Sequence, residues 1–198
     1  MGTDAEPLAL LARALDQAGA VLAGVNESNL DARTPCPSWD VRTLANHVVH
    51  DLAHFTTAAE GGRPDYQAPI PDAGAGRVEA FRRGAAELLT AWQAAGDLDR
   101  PRQLSMGELP ASFIVNQQIA ELAVHAWDLA RATGQPVDWD EDLARSALAW
   151  GRAALKPEFR GDEESGKSFG PEVEPAEGAS AQERLVAFFG RDPAGIVA

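Results

Sequence analysis

The stretch SFIVNQQIAELAVHAWDLARAT, residues 112–133, decides how the chain folds. Its apolar residues Val115, Ile119, Leu122, Ala126 and Leu129 are spaced 4, 3, 4 and 3, the period of a helix with one buried stripe. Gly134-Gln135-Pro136 then ends it. The same pattern recurs upstream. Leu8, Leu11, Leu15, Ala18, Leu22 and Val25 mark a first helix, from Pro7 to Val25. Val41, Leu44, Val48, Leu52 and Phe55 mark a second, from Trp39 to Glu60, with Ser38 as its expected cap. Val78, Phe81, Ala85, Leu88, Leu89 and Trp92 mark a third, from Arg77 to Ala95, with Arg82, Arg83 and Glu87 toward solvent. Shorter helices are expected at 140–155 and over AQERLVAFF, residues 181–189. The spacing predicts an all-α fold, a four-helix bundle with long connections between helices two, three and four and a short C-terminal helical extension. No stretch alternates as a sheet would require, and in the Gly- and Pro-rich segment from Pro157 to Ala179 only KSFGPEVEP has strand character. The expected organisation is one bundle domain over residues 1–155, with the loop and helix of residues 156–198 packed on it.

Composition narrows the function classes. The 198 residues hold 30 acidic and 17 basic side chains, a formal charge of -13, which disfavours a phosphate-binding surface and hence nucleic acid as a partner. Cys36 is the only cysteine, so neither an intrachain disulfide nor a multi-cysteine zinc site can form, and the thiol-poor chain suits a reducing compartment. No segment has the roughly 20 apolar residues of a membrane span, and the first residues do not form a signal peptide. The expected location is cytoplasmic, with no membrane partner. The composition is compatible with either a monomer or a homodimer.

The polar residues at the edge of the apolar stripes carry the chemistry. Glu121 and His125 are four apart and share a helix face, and Asp128 continues it three residues on. On the second helix His47, His50 and His54 span a face roughly 60° wide. A carboxylate and an imidazole from one helix with an imidazole from another make three N/O ligands, the number a catalytic metal site uses while keeping one position open. That set suits zinc, and it is also the facial set of non-haem Fe(II). Spacing alone leaves open which histidine of the second helix takes part, whether Asp128 orients His125 or is a solvated acid, and whether the metal is catalytic or only ties two helices together. Cys36 precedes a helix N-terminus, where a thiolate is favoured, or is simply structural. The five tryptophans are expected to be packing residues.

TPCPSWDVRTLANHVVH, residues 34–50, and ELAVHAWDLARATGQP, residues 121–136, resemble the mycothiol-dependent maleylpyruvate isomerase family of the DinB/YfiT-like metal-binding superfamily. SFGPEVEP and ERLVAFFGRDP near the C-terminus are similar to the tails of its short actinobacterial members. The resemblance implies a DinB-like bundle with a crossover. It pairs Trp39 with His47, eight residues on, and makes His47, Glu121 and His125 the ligands of a divalent metal, usually zinc; from its own spacing Asp128 is expected to stand behind His125. It further implies a thiol-dependent S-transferase or isomerase in which mycothiol attacks a small electrophile. The alternative is a non-catalytic, structural metal-binding bundle. The family's isomerase has a larger C-terminal domain that supplies an arginine to its dicarboxylate substrate, whereas 43 residues follow Leu155 here; Arg160, Arg184 and Arg191 are the candidates for an anion clamp.

Overall fold

The computed structural model describes residues 5–36, 39–66, 68–104, 107–161, 167 and 169–195. Helix α1 spans Ala5–Leu22, α2 Val41–Ala59, α3 Arg77–Ala95 and α4 Ala111–Thr133; α5, Glu141–Ala154, and α6, Ala181–Phe188, follow. Each of the first four packs on two others, α1 on α3 and α4, and α2 on α3 and α4. The four therefore form a ring in which α1 and α2 stand at opposite corners, as do α3 and α4. The connections after α1 and α3 thus cross the bundle, while the Gly- and Pro-rich connection between α2 and α3 joins neighbours.

The apolar stripes face inward as their spacing requires. Leu11, Leu15 and Leu22 of α1, Leu44 and Leu52 of α2, Leu88 and Trp92 of α3, and Ile114, Ile119 and Leu129 of α4 are buried together. Asp40 caps α2 by accepting from the Thr43 amide at 2.8 Å; the expected cap, Ser38, lies outside the described residues. Gly134, left-handed at φ 66, closes α4 where a side chain would be strained.

Two features depart from the sequence expectation. Residues 101–110 are not all loop: β1, Pro101–Leu104, and β2, Gly107–Pro110, pair antiparallel as a short ribbon. Strands of four residues are too short to show an alternating pattern. Arg102 of the ribbon is buried and donates from Nε to the Ala59 carbonyl at 3.3 Å, so the ribbon closes the end of α2. The second departure is α4, which is more than a one-striped helix. From Ile119 to Ala130 only Glu121 and His125 escape full burial. The opposite side of α4 is covered by α5, with α6 packed on α5 and reaching α4 as well. Small residues permit this: a Cβ on Gly151 of α5 would lie 2.9 Å from Phe188 Cε1 and 3.0 Å from Phe189 Cζ. Gln182 of α6 donates to the Ala123 carbonyl at 3.1 Å.

Strand character in KSFGPEVEP reduces, among the described residues, to a single bridge between Arg160 and Phe169; Ser168 lies outside them. Arg160 holds this segment down. Its guanidinium donates to the Gly170 and Phe188 carbonyls at 3.1 and 2.7 Å and sits 4.3 Å above the Phe188 ring. No described helix is long and apolar enough to cross a membrane.

Candidate metal centre

The two exceptions on α4, Glu121 and His125, face the histidine-bearing side of α2. His47 and Asp51 lie one turn apart on α2, as Glu121 and His125 do on α4, so two acid–imidazole pairs oppose each other. Ligand atoms of His47, Asp51 and Glu121 all lie within 4.8 Å of one another. The His47 and His125 rings meet edge to face with centroids 5.2 Å apart, and the Trp39 ring packs on both, at 4.6 and 6.0 Å. These side chains border a narrow cleft. His47, Asp51, Gln118, Glu121 and His125 form its polar side, and Val48, Leu52, Phe55 and Leu122 its apolar wall.

A second cluster backs the first. Asp128 is fully buried one turn beyond His125, and its Oδ2 lies 3.1 Å from His125 Nδ1. Arg191, from the C-terminal tail, donates to Asp128 Oδ1 from Nε at 3.2 Å and to Oδ2 from Nη2 at 2.9 Å. The same Nη2 lies 2.9 Å from Cys36 Sγ. The tail is thereby pinned to α4 and to the loop before α2.

Electrostatics follow from these contacts. Burial, then the neighbouring His125, holds His47 down to about 4 despite Asp51, so its ring is neutral near pH 7. Burial also pushes the Glu121 carboxyl well up, with the charge of Asp51 and a hydrogen bond to it acting the same way; the donation from Gln117 Nε2 at 2.9 Å opposes them. Asp128 goes the other way. Burial alone would raise it, yet Arg191 and His125 outweigh burial and hold it below the usual carboxylate range. An ionised Asp128 can only accept, so His125 Nδ1 is the donor of this contact and Nε2 is the nitrogen turned away from Asp128.

The structure brings His47, Glu121 and His125 to one cleft and sets Asp128 against His125. It does not bring His50 or His54 to the cleft lining. His54 Nδ1 contacts Asp51 Oδ1 at 3.1 Å, and His50 packs on the His54 ring. None of the arginines singled out as clamps lines the cleft: Arg160 is stacked on Phe188, Arg184 donates to the Ala179 carbonyl, and Arg191 is committed to Asp128. Sequence reasoning passed over Asp51, although it follows His47 by the same four residues that separate Glu121 from His125. It also missed the role of Arg191 at Asp128, for which spacing offers no signal.

The model of the mycothiol maleylpyruvate isomerase N-terminal domain family matches residues 11–130, a span that holds every cleft residue. Two uncharacterized proteins of Mycobacterium tuberculosis, one from each of two strains, are 34% identical to the chain over 186 residues, covering 94% of it and 98% of their own length. Among solved structures, a mutant of the mycothiol-dependent maleylpyruvate isomerase is similar at a TM-score of 0.47 and 18% identity, over 74% of this chain and 70% of that one.

Proposed function

We infer the function from one premise, that the chain belongs to the mycothiol maleylpyruvate isomerase N-terminal domain family, and from the donor set at the cleft between α2 and α4. The protein is a divalent-metal-dependent S-transferase or isomerase that uses a small thiol, mycothiol, against a small electrophile. His47, Glu121 and His125 are the residues that would hold the metal, and zinc is the ion this N/O set suits. The carrying observation is the meeting of two carboxyls, Asp51 and Glu121, beside the neutral imidazole of His47. Among the described residues, no Lys or Arg is ion-paired with either carboxyl. Such a set is costly unless a proton or a cation is held there.

A divalent ion would keep a thiol deprotonated and nucleophilic at neutral pH. The chain's own residues supply the rest. Asp128, fixed by Arg191, orients His125 through Nδ1 and presents Nε2 to the cleft. Gln117 does the same for Glu121. Trp39 covers both imidazoles, and Leu52, Phe55 and Leu122 keep one side of the cleft dry.

One observation favours the non-catalytic alternative: Asp51 is close enough to His47 and Glu121 to act as a fourth donor and close the site. Asp51→Asn separates the two. In the enzyme the variant keeps its metal; in the structural protein the metal is lost.

The primary experiment is metal analysis of the chain purified without chelator, followed by mycothiol consumption with a panel of small electrophiles. The expected result is about one metal per chain, lost in His125→Ala, and thiol consumption that depends on it. A metal-free wild type, with metal content and stability unchanged in His125→Ala, would refute the proposal.

A further inference from the structure

We propose that Gln118 is the residue with which the cleft recognises its ligand, by taking up a neutral amide next to the ligand's reacting end. This rests on reading the cleft as a ligand site. Gln118 lies three residues before Glu121 and seven before His125, so it shares their face of α4, and it lines the cleft with them. It is 1% exposed, and both its Oε1 and its Nε2 are buried without a hydrogen-bond partner. Buried amide groups almost always find partners, and here donor and acceptor are orphaned together. The neighbouring glutamine has an internal task, since Gln117 donates to Glu121. Even Gln182, whose Oε1 is also unpaired, donates to Ala123 from Nε2. Gln118 has no such contact, and its position beside the proposed ligands makes an incoming molecule the partner of both atoms.

The chemistry of that molecule follows from what surrounds Gln118. A carboxamide is complemented at two points by a group offering one N–H and one C=O, which is another amide. An anionic headgroup would meet Asp51 and Glu121 across the cleft, and a cationic one would be drawn to those carboxyls in preference to an amide. With Leu52, Phe55 and Leu122 as the apolar wall beside the proposed metal ligands, the ligand's reacting end is a sulfur on a short hydrocarbon link to an amide.

The test uses the full chain loaded with Co(II), whose sulfur-to-cobalt charge-transfer band reports thiol binding. N-acetylcysteine methylamide and 2-mercaptoethanol are titrated into wild type, Gln118→Leu and Gln118→Met. Loss of Gln118 should weaken the amide thiol about tenfold and leave 2-mercaptoethanol within about twofold. Both variants should melt no lower than wild type, because they remove orphaned polar atoms. Equal effects on the two thiols, no effect on either, or a lower melting point in both variants would overturn the proposal. N-acetylalanine methylamide, which has the amides and no sulfur, is titrated by NMR into the metal-free chain in parallel. Shifts around the cleft that vanish in Gln118→Leu support the amide site even if cobalt fails to bind, in which case only the metal reading falls. Unchanged shifts in the variant, or none in wild type, overturn the amide site whatever the cobalt result.

Discussion

Replacing Arg191 with Met tests whether the tail is fastened to the site by a buried charge. Asp128 has no exposed surface, and Arg191 gives it two hydrogen bonds, at 3.2 and 2.9 Å, beside the contact with His125 and a weak one at 3.7 Å from the Cys36 thiol. Arg191→Met preserves the aliphatic stem and strands the carboxylate. Removing one member of a buried pair costs about 3–5 kcal/mol, whereas an exposed pair such as Arg145–Asp142 contributes about 0–1 kcal/mol. In a chain of this length the buried loss lowers Tm by about 6–20 °C. The pH dependence changes sign as well. In wild type the lowered Asp128 carboxyl contributes its full stability above the ordinary carboxylate range, near pH 4, and loses it as pH falls through its own lower value. Without Arg191, burial dominates and raises the group, so the variant should regain stability as pH is lowered from 7 toward 4. Urea and thermal unfolding of the chelator-treated protein at pH 7 and pH 5 measure both effects. Asp128→Asn combined with Arg191→Met should recover most of the loss, since neither charge is then left alone. An Arg191→Met variant within about 1 kcal/mol of wild type, or a double variant no better than the single, would refute the reasoning.

Three further outcomes follow from the same geometry. Glu121, raised by burial and by Asp51, destabilises the metal-free fold as pH climbs above the ordinary carboxylate range; Glu121→Gln should stabilise that form at pH 8 by roughly 1–4 kcal/mol in urea titrations, while metal content drops. His47, held to about 4, should show no NMR titration between pH 5 and 8 in the metal-free chain, and because its pKa is depressed it takes away on the order of 2–3 kcal/mol of stability as pH falls from its unfolded value near 6.5 through 4. Gly151→Ala places a methyl within 3.1 Å of the Phe188 and Phe189 rings and should cost about 1–3 kcal/mol by pushing α6 from α5, read as a lower Tm with the α2–α4 cleft unchanged in metal content.

The bundle was legible because each apolar stripe repeats over four or more turns, long enough for the 3.6-residue period to stand out. What lies on the second side of α4 was not. Ala123 carries little hydropathy, yet it is buried where Gln182 of α6 meets its carbonyl, a fact of packing that periodicity cannot report. The ribbon at 101–110 escaped for the opposite reason, being too short to have a period. At the site, Glu121, His125 and Asp128 were readable because each sits one turn from another, whereas spacing did not separate His47 from His50 and His54 and only the family resemblance singled it out. Asp51 obeyed the same rule and was hidden by the crowd of histidines around it. Arg191 reaches Asp128 from 63 residues away, across α5, α6 and the segments that join them, and no local pattern encodes that distance.

Of the crowded histidines, His47 and His54 both lie against Asp51, and that carboxyl sets how many donors the cleft offers. Three acids, Asp51, Glu121 and Asp128, are gathered around two imidazoles, and the one arginine among them is committed to Asp128. With His47 neutral, the two carboxyls at the cleft must be balanced by a proton or a cation. A divalent ion held by two neutral imidazoles and both carboxylates has four protein donors, the full number of a tetrahedral structural site. With Glu121 as the only coordinating carboxylate, the same ion has three protein donors and one position open for a thiol. The enzyme and the structural protein therefore differ by one donor, Asp51. His54, 3.1 Å from Asp51 Oδ1 and away from the cleft lining, is the neighbour placed to hold that carboxyl off the ion. A histidine outside the cleft is thus positioned to bear on whether the site stays open to a thiol.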